Sequence, residues 1–354
     1  MSRSLRRHRH RLVATALSLA AVLSSAATAQ ALTAPHEQTA HTASAGRTAP
    51  PARAAQIRIH AVYDLPDNRA YPEGIAEDPR TRDLYVGSYR TGAVYRITPG
   101  RRAARVFLPA GTDGRNTANG LKVDRAGRLW VIDSTAGVAV YDIRARRLLA
   151  RFDVSGGARS FVNDLALAPD GTAYLTDSAR AVVYRVTPQQ LAAAAALGRR
   201  GTLTPRFDLA GVLAPHAPDA YTLNGIVADP SGRYLLAPDM TGGDLYRLDL
   251  ASGGIRRVPL SGGDMRMADG LELRHGTLWV AHNKSNALSR WRLSGDGTGA
   301  RQERRITDPS LQIPTTLVRQ GGRLLVVRSQ FDKGGPMGPG TPQTPFTIAA
   351  VDGI

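Results

Sequence analysis

Six polar residues, Glu73, Asn119, Asn163, Asn224, Asp269 and Thr315, each open a variant of one phrase. The phrase reads "EGIAEDPRTRDLYVGS", "NGLKVDRAGRLWVIDS", "NDLALAPDGTAYLTDS", "NGIVADPSGRYLLAPD", "DGLELRHGTLWVAHN" and "TTLVRQGGRLLVVRS" in turn. Two carboxylates, three carboxamides and a hydroxyl, brought to one place, make a site of hard oxygens. Such a site suits a divalent cation, calcium above all, which takes about 6–8 oxygen ligands at roughly 2.3–2.6 Å and fills vacancies with water. Zinc, manganese and magnesium are the other candidates. Singly, Asn-Gly and Asp-Gly are ordinary turn formers. What sets these six apart is that every copy keeps a polar residue while its charge changes. By contrast Asp124, Asp170 and Asp229 recur inside the hairpins and read as turn residues.

The elements that must bring these residues together follow from their spacing. The openings lie 46, 44, 61, 45 and 46 residues apart. A period near forty-five with strand signals and no sustained helical pattern predicts a propeller. Within each copy an apolar run meets a turn rich in Asp, Pro and Gly, then a second apolar run: two strands and a hairpin. Further strands follow, as in "GAVYRITPG" from Gly92 and "GDLYRLDLA" from Gly243, where apolar and polar residues alternate. The prediction is an all-β chain, a six-bladed β-propeller with four-stranded blades over 57–354, whose equivalent positions face one axis. "IRIHAVYDL" from Ile57 should pair with the chain's end and close the ring. The long interval holds "QQLAAAAALGRRG" and "LAPHAPDA", a helical and loop insertion over about 188–220 expected to cover part of one face.

Ahead of the repeats, Arg3, Arg6, Arg7, Arg9 and Arg11 precede an apolar run from Leu12 to Leu23 and a small-residue stretch. This predicts a secretory signal peptide over 1–31, cleaved after Ala29 or Ala31, by the Sec route rather than the twin-arginine one. The apolar run is shorter than the ~20 residues that span a bilayer, so no membrane anchor is expected. Residues 32–56, rich in Ala, Thr, Pro and Ser, read as a disordered leader. The formal charge is +17, five of it from the signal-peptide arginines, and only Lys122, Lys284 and Lys333 among 46 basic residues are lysines. No basic run interleaves with aromatics, so nucleic acid is not an expected partner. With no cysteine, disulfides and thiolate ligands are excluded. No G-x-S-x-G elbow, H-E-x-x-H or Walker loop occurs.

"PEGIAEDP", "FVNDLALAPDG", "LNGIVADPSG" and "MADGLELRHGTLWVAHN" together resemble the senescence marker protein, gluconolactonase and regucalcin-like family of six-bladed propellers. The resemblance covers most of 57–354. It implies one metal in the channel, bound by Glu73, Asn163, Asn224 and Asp269, and hydrolysis of a sugar lactone or related ester. It further implies that the metal polarises the carbonyl while Asp269 helps to activate water. Lactonases of that family often carry an Arg two residues before the middle Asn, where this chain has Phe161, with Arg159 nearby.

The remaining opening residues, Asn119 and Thr315, are candidate substrate contacts. A second layer lies fourteen residues beyond the openings, at Asp133, Asp177, Asn283 and Ser329, with His282 beside it. Asp177 and His282 are its candidate contacts with substrate. The expected protein is a secreted monomer acting on a small lactone or ester. The competing reading is a non-catalytic propeller of the NHL or virginiamycin-lyase-like kind that serves as a binding module.

Overall fold

The computed structural model describes residues 56–354 except residue 158. The predicted signal peptide, and the leader up to residue 55, lie outside the described residues. Alternation of side chains along each strand sets the architecture. In Arg128–Asp133, Leu129 and Val131 join an apolar cluster with Tyr85 and Tyr141, while Trp130 and Ile132 join another with Leu175 and Tyr184. In Thr277–His282, Leu278 and Val280 pack with Leu236, and Trp279 and Ala281 pack with Val326. A strand buried on both faces must lie between two other sheets, so blades stack round an axis with six clusters between them.

The result is the expected six-bladed β-propeller. Its innermost strands are Pro72–Glu77, Leu121–Val123, Val162–Leu167, Val227–Ala228, Ala268–Arg274 and Pro314–Gln320. We number blades one to six in that order. Arg58–Asp64 pairs antiparallel with Thr347–Asp352 and supplies the outer strand of blade six, so the two ends of the domain lock each other. Blades two and five gain a short fifth strand laid parallel to their outer edge, Arg200–Thr202 and Leu260–Ser261.

The long interval divides into two parts. Helix α1 (Pro188–Ala196) begins at a capping box in which Thr187 accepts from the Gln190 amide and the Gln190 side chain accepts from Thr187. Leu191 and Ala194 pack with Phe152 of the outer strand of blade two, so the helix fills a gap at the rim between blades two and three. The loop 209–222, which leads into Asn224, meets the face that carries the opening residues where Thr222 N donates to Ser178 O at 2.9 Å. Among the described residues, no helix is long and apolar enough to cross a membrane.

Candidate functional site

The inner strands are interrupted where the opening residues sit. Pro72 faces Ser88, yet Ile75 faces Val86, and the same one-residue surplus occurs between Val162 and Leu165, Ala268 and Leu271, and Pro314 and Leu317. A bulge of this kind re-aims side chains and releases backbone groups from the ladder. The released groups stitch neighbouring blades together. Gly120 N donates to Asn163 O at 3.1 Å and Gly225 N to Asp269 O at 3.0 Å. Thr176 Oγ1 donates to Asn224 O at 2.6 Å, and Thr315 Oγ1 to Glu73 O at 2.8 Å. The carbonyls of Glu73, Asn163, Asn224 and Asp269 are thus each held by the preceding blade.

The side chains of those residues are buried: Glu73 and Asn163 are 6% exposed, Asn224 and Asp269 4%, and Asn119 1%. In Asn163 and Asn224 the side-chain nitrogen is engaged and the oxygen is not. Asn163 Nδ2 donates to Ser178 Oγ at 2.9 Å, and Asn224 Nδ2 reaches Met240 Sδ at 3.4 Å. Glu73 Oε2, Asn119 Oδ1, Asn163 Oδ1, Asp164 Oδ2 and Asn224 Oδ1 are buried without any partner. Buried polar atoms are normally satisfied, and a cluster of orphaned acceptors marks a place for a donor or a cation. The set fits a hard cation, because all of these atoms are oxygens. Among the described residues no three His, Asp or Glu side chains have metal-binding geometry, so the carboxamides must contribute to any such site.

Electrostatics agree with convergence. Burial raises the Glu73 pKa well above the usual carboxylate range, and the neighbouring Asp269 and Asp164 raise it further, while Lys122 opposes the shift. Burial likewise raises Asp269, with Asp164 adding to the effect; Asn283, whose Nδ2 donates to Asp269 Oδ2 at 2.8 Å, and Asn224 oppose it. Three acids from blades one, three and five therefore sense one another in a space that penalises charge.

Asp164 is a site residue that the repeat pattern did not single out. Four openings are followed by glycine, at Gly74, Gly120, Gly225 and Gly270, where a Cβ would lie within 2.1–2.7 Å of the next blade. Blade three has Asp164 at that position instead, 4% exposed, with Leu165 N donating to Oδ1 at 2.8 Å. An acid at a glycine position of the repeat was the available signal. Below it the channel continues: a cavity of about 280 Å³ is lined by the inner strands of all six blades, with Lys122 and Glu272 as its charged groups. Burial pushes the Glu272 pKa up to about 7.

The candidate substrate contacts fare unequally. Asn119 keeps an unpaired oxygen at the site. The Thr315 hydroxyl donates to the Glu73 carbonyl at 2.8 Å and positions that residue. Asp177 is a strand-end cap, because Oδ1 accepts from the amides of Phe161, Ala179 and Arg180 at 3.0–3.1 Å and Oδ2 from the Tyr184 hydroxyl at 3.1 Å. Asp133 caps the corresponding turn of blade two. Of that second layer, Asn283 touches the site, through Asp269.

His282 is fully buried in blade five rather than open to a ligand. Nδ1 lies 2.8 Å from the Arg266 carbonyl, which can only accept, so Nδ1 carries the proton and Nε2 accepts from Ser289 Oγ at 2.7 Å. Ser289 Oγ in turn accepts from Trp291 Nε1 at 2.7 Å. Burial, then the charge of Arg305, lowers the His282 pKa from 6.5 to about 4. Its contribution to stability is complete above pH 6.5 and is lost as pH falls toward 4, on the order of 2–3 kcal/mol. His282→Gln should therefore flatten the decline in Tm measured between pH 7 and pH 4.5; an unchanged slope would assign that decline to other groups.

A sequence model of the SMP-30/gluconolactonase/LRE-like region matches residues 62–318, from the closing strand to the inner strand of blade six. The chain belongs to this family. Solved structures with the same fold include a gluconolactonase from Xanthomonas campestris, at 17% identity and a TM-score of 0.57 over 84% of this chain and 90% of that one. A calcium-binding regucalcin from Agrobacterium tumefaciens is also 17% identical, with a TM-score of 0.57 over 83% and 98%. Virginiamycin B lyase from Staphylococcus aureus is 13% identical, with a TM-score of 0.53 over 84% and 99%. At these identities the likenesses establish the shared fold. No curated protein matches the sequence.

Proposed function

We propose that this gluconolactonase-like propeller holds one divalent cation, calcium before zinc, manganese or magnesium, and hydrolyses a small lactone or ester in its channel. The observation that carries the reading is the set of unpaired oxygens of Glu73, Asn163 and Asn224 next to Asp269. With both carboxamide nitrogens drawn off by Ser178 and Met240, a cation is the partner that these oxygens lack. The same reading takes the protein to be exported, on the pattern of residues 1–31.

A bound cation supplies Lewis-acid polarisation of the substrate carbonyl. The chain's residues do the remainder. Asp269 accepts a proton from water as the water oxygen bonds to the acyl carbon. The acyl C–O bond then breaks, and that proton passes to the departing oxygen. Asn283 holds the Asp269 carboxylate in one orientation, Thr315 and Thr176 fix the backbone of Glu73 and Asn224, and burial keeps bulk water away. A nearby positive charge favours the ionised, proton-accepting form of Asp269.

The test is a panel of lactones and aryl esters assayed with and without chelator, beside metal analysis of the purified protein. About one divalent ion per chain and chelator-sensitive hydrolysis are expected. A metal-free protein with a silent panel would leave the non-catalytic binding module as the function.

A further inference from the structure

Just ahead of the openings of blades one, three and four the chain places aromatic residues. Phe161 precedes Asn163 by two residues, and Tyr221 leads into Asn224 from the 209–222 loop. Their ring centroids lie 4.9 Å apart in an edge-on arrangement. From blade one, Tyr89 donates its amide to Tyr71 O, directly before Pro72 and Glu73, and its ring lies 5.3 Å from Phe331. Burial raises the Tyr89 pKa, with Tyr221 and Glu73 adding to the shift.

Arg159 completes the wall. Its guanidinium lies 4.5 Å over the Tyr221 ring, and Nη1 donates to the Asp219 carbonyl at 3.1 Å. It is exposed, and no carboxylate pairs with it among the described residues. Other arginines of this chain are neutralised, as with Arg96 on Asp83 or Arg233 on Asp229. A guanidinium held by a ring and a carbonyl keeps its other N–H groups for an anion. Lys284, next to the Asn283 that binds Asp269, is a second cation without an acidic partner.

We infer that the substrate carries a flat aromatic ring bearing an anionic group, which stacks on Phe161, Tyr221 and Tyr89 and pairs with Arg159. A neutral polyhydroxylated ring can lay its C–H face on the same aromatic rings but brings no charge to pair with Arg159. Aromatic faces accept a planar ring in offset or edge-on geometry. The inference rests on the hydrolase reading of the channel and specifies its substrate class.

The experiment compares phenyl acetate, 4-acetoxybenzoate and a sugar δ-lactone as substrates, and measures binding of the product analogue 4-hydroxybenzoate by calorimetry. The carboxylated ester should exceed phenyl acetate in kcat/KM by about tenfold, equivalent to one charge-assisted contact, with the sugar lactone below both. Arg159→Gln should bring the ratio of the two esters near one and weaken 4-hydroxybenzoate. Tyr221→Leu should weaken both esters. Chelator-sensitive turnover with no preference, unchanged in Arg159→Gln, overturns this inference and leaves the hydrolase reading standing. A panel silent on both esters and the sugar lactone, with 4-hydroxybenzoate bound through Arg159, would overturn the hydrolase reading and support the anion site at the mouth; lactone turnover with silent esters would overturn this inference alone.

Discussion

Asp269→Asn should lower chelator-sensitive hydrolysis by about 10²–10⁴, the usual worth of a positioned general base, and should also weaken cation binding. The substitution keeps size and hydrogen-bonding capacity but removes the one group that both faces Asn224 and Asn283 and can take a proton. Asn283→Ala supplies the comparison. It removes the contact that orients Asp269 and leaves the carboxylate in place, so kcat should fall by a smaller factor with the cation retained. If Asp269→Asn keeps full turnover, the proton acceptor lies elsewhere. Steady-state kinetics with metal analysis of the same preparations separates these outcomes.

The second large effect concerns the stitching of blades four and five. A Cβ at Gly225 would sit 2.1 Å from the Asp269 carbonyl oxygen, the acceptor of the Gly225 amide. No rotamer change relieves a clash with backbone, so the inner strands must part. Gly225→Ala should cost more than about 4 kcal/mol, the range reached by overpacking combined with a broken buried hydrogen bond, and lower Tm by about 10 °C or more. Gly211→Ala, in open space on the insertion loop, is the control expected to fold as the parent does. Equal thermal stability of the two variants would show that the close approach is not obligatory. Because the carbonyl belongs to Asp269, a partly folded Gly225→Ala protein should also lose activity.

The fold was legible because a propeller repeats itself. The Asp/Gly hairpins, the polar openings and the alternating second strands recur at a near-constant interval, and Asp124 and Asp229 serve in turns as their positions predict. The insertion was legible as a break in that interval, but its split was not. The helix lies at the rim because Leu191 and Ala194 find Phe152, a contact that no local pattern specifies. At the site, residue types gave the converging set, whereas bonding commitments came only with three dimensions. Thr315 and Asp177 look like free polar groups in sequence and are spent on the Glu73 carbonyl and on turn amides. His282 looked like a ligand contact because a strand's last residue can turn either way; it turns inward to Ser289. Asp164 escaped notice because its neighbour Asn163 occupied the recurring position.

Calorimetric titration of calcium into chelator-stripped protein tests the central claim most directly, provided it is run at two pH values and repeated with Asp269→Asn. Folded-state pKa values of Glu73 and Asp269 raised above their usual range mean that their protonated forms favour the cation-free fold. That contribution is present at low pH and lost as pH rises through the raised values. A cation must displace those protons, so binding should be tighter at pH 8 than at pH 5, with proton release. The account predicts one site per chain with that pH dependence, weakened at least tenfold in Asp269→Asn, by about 1.4 kcal/mol. No binding to the parent protein, or equal binding by Asp269→Asn, would contradict it.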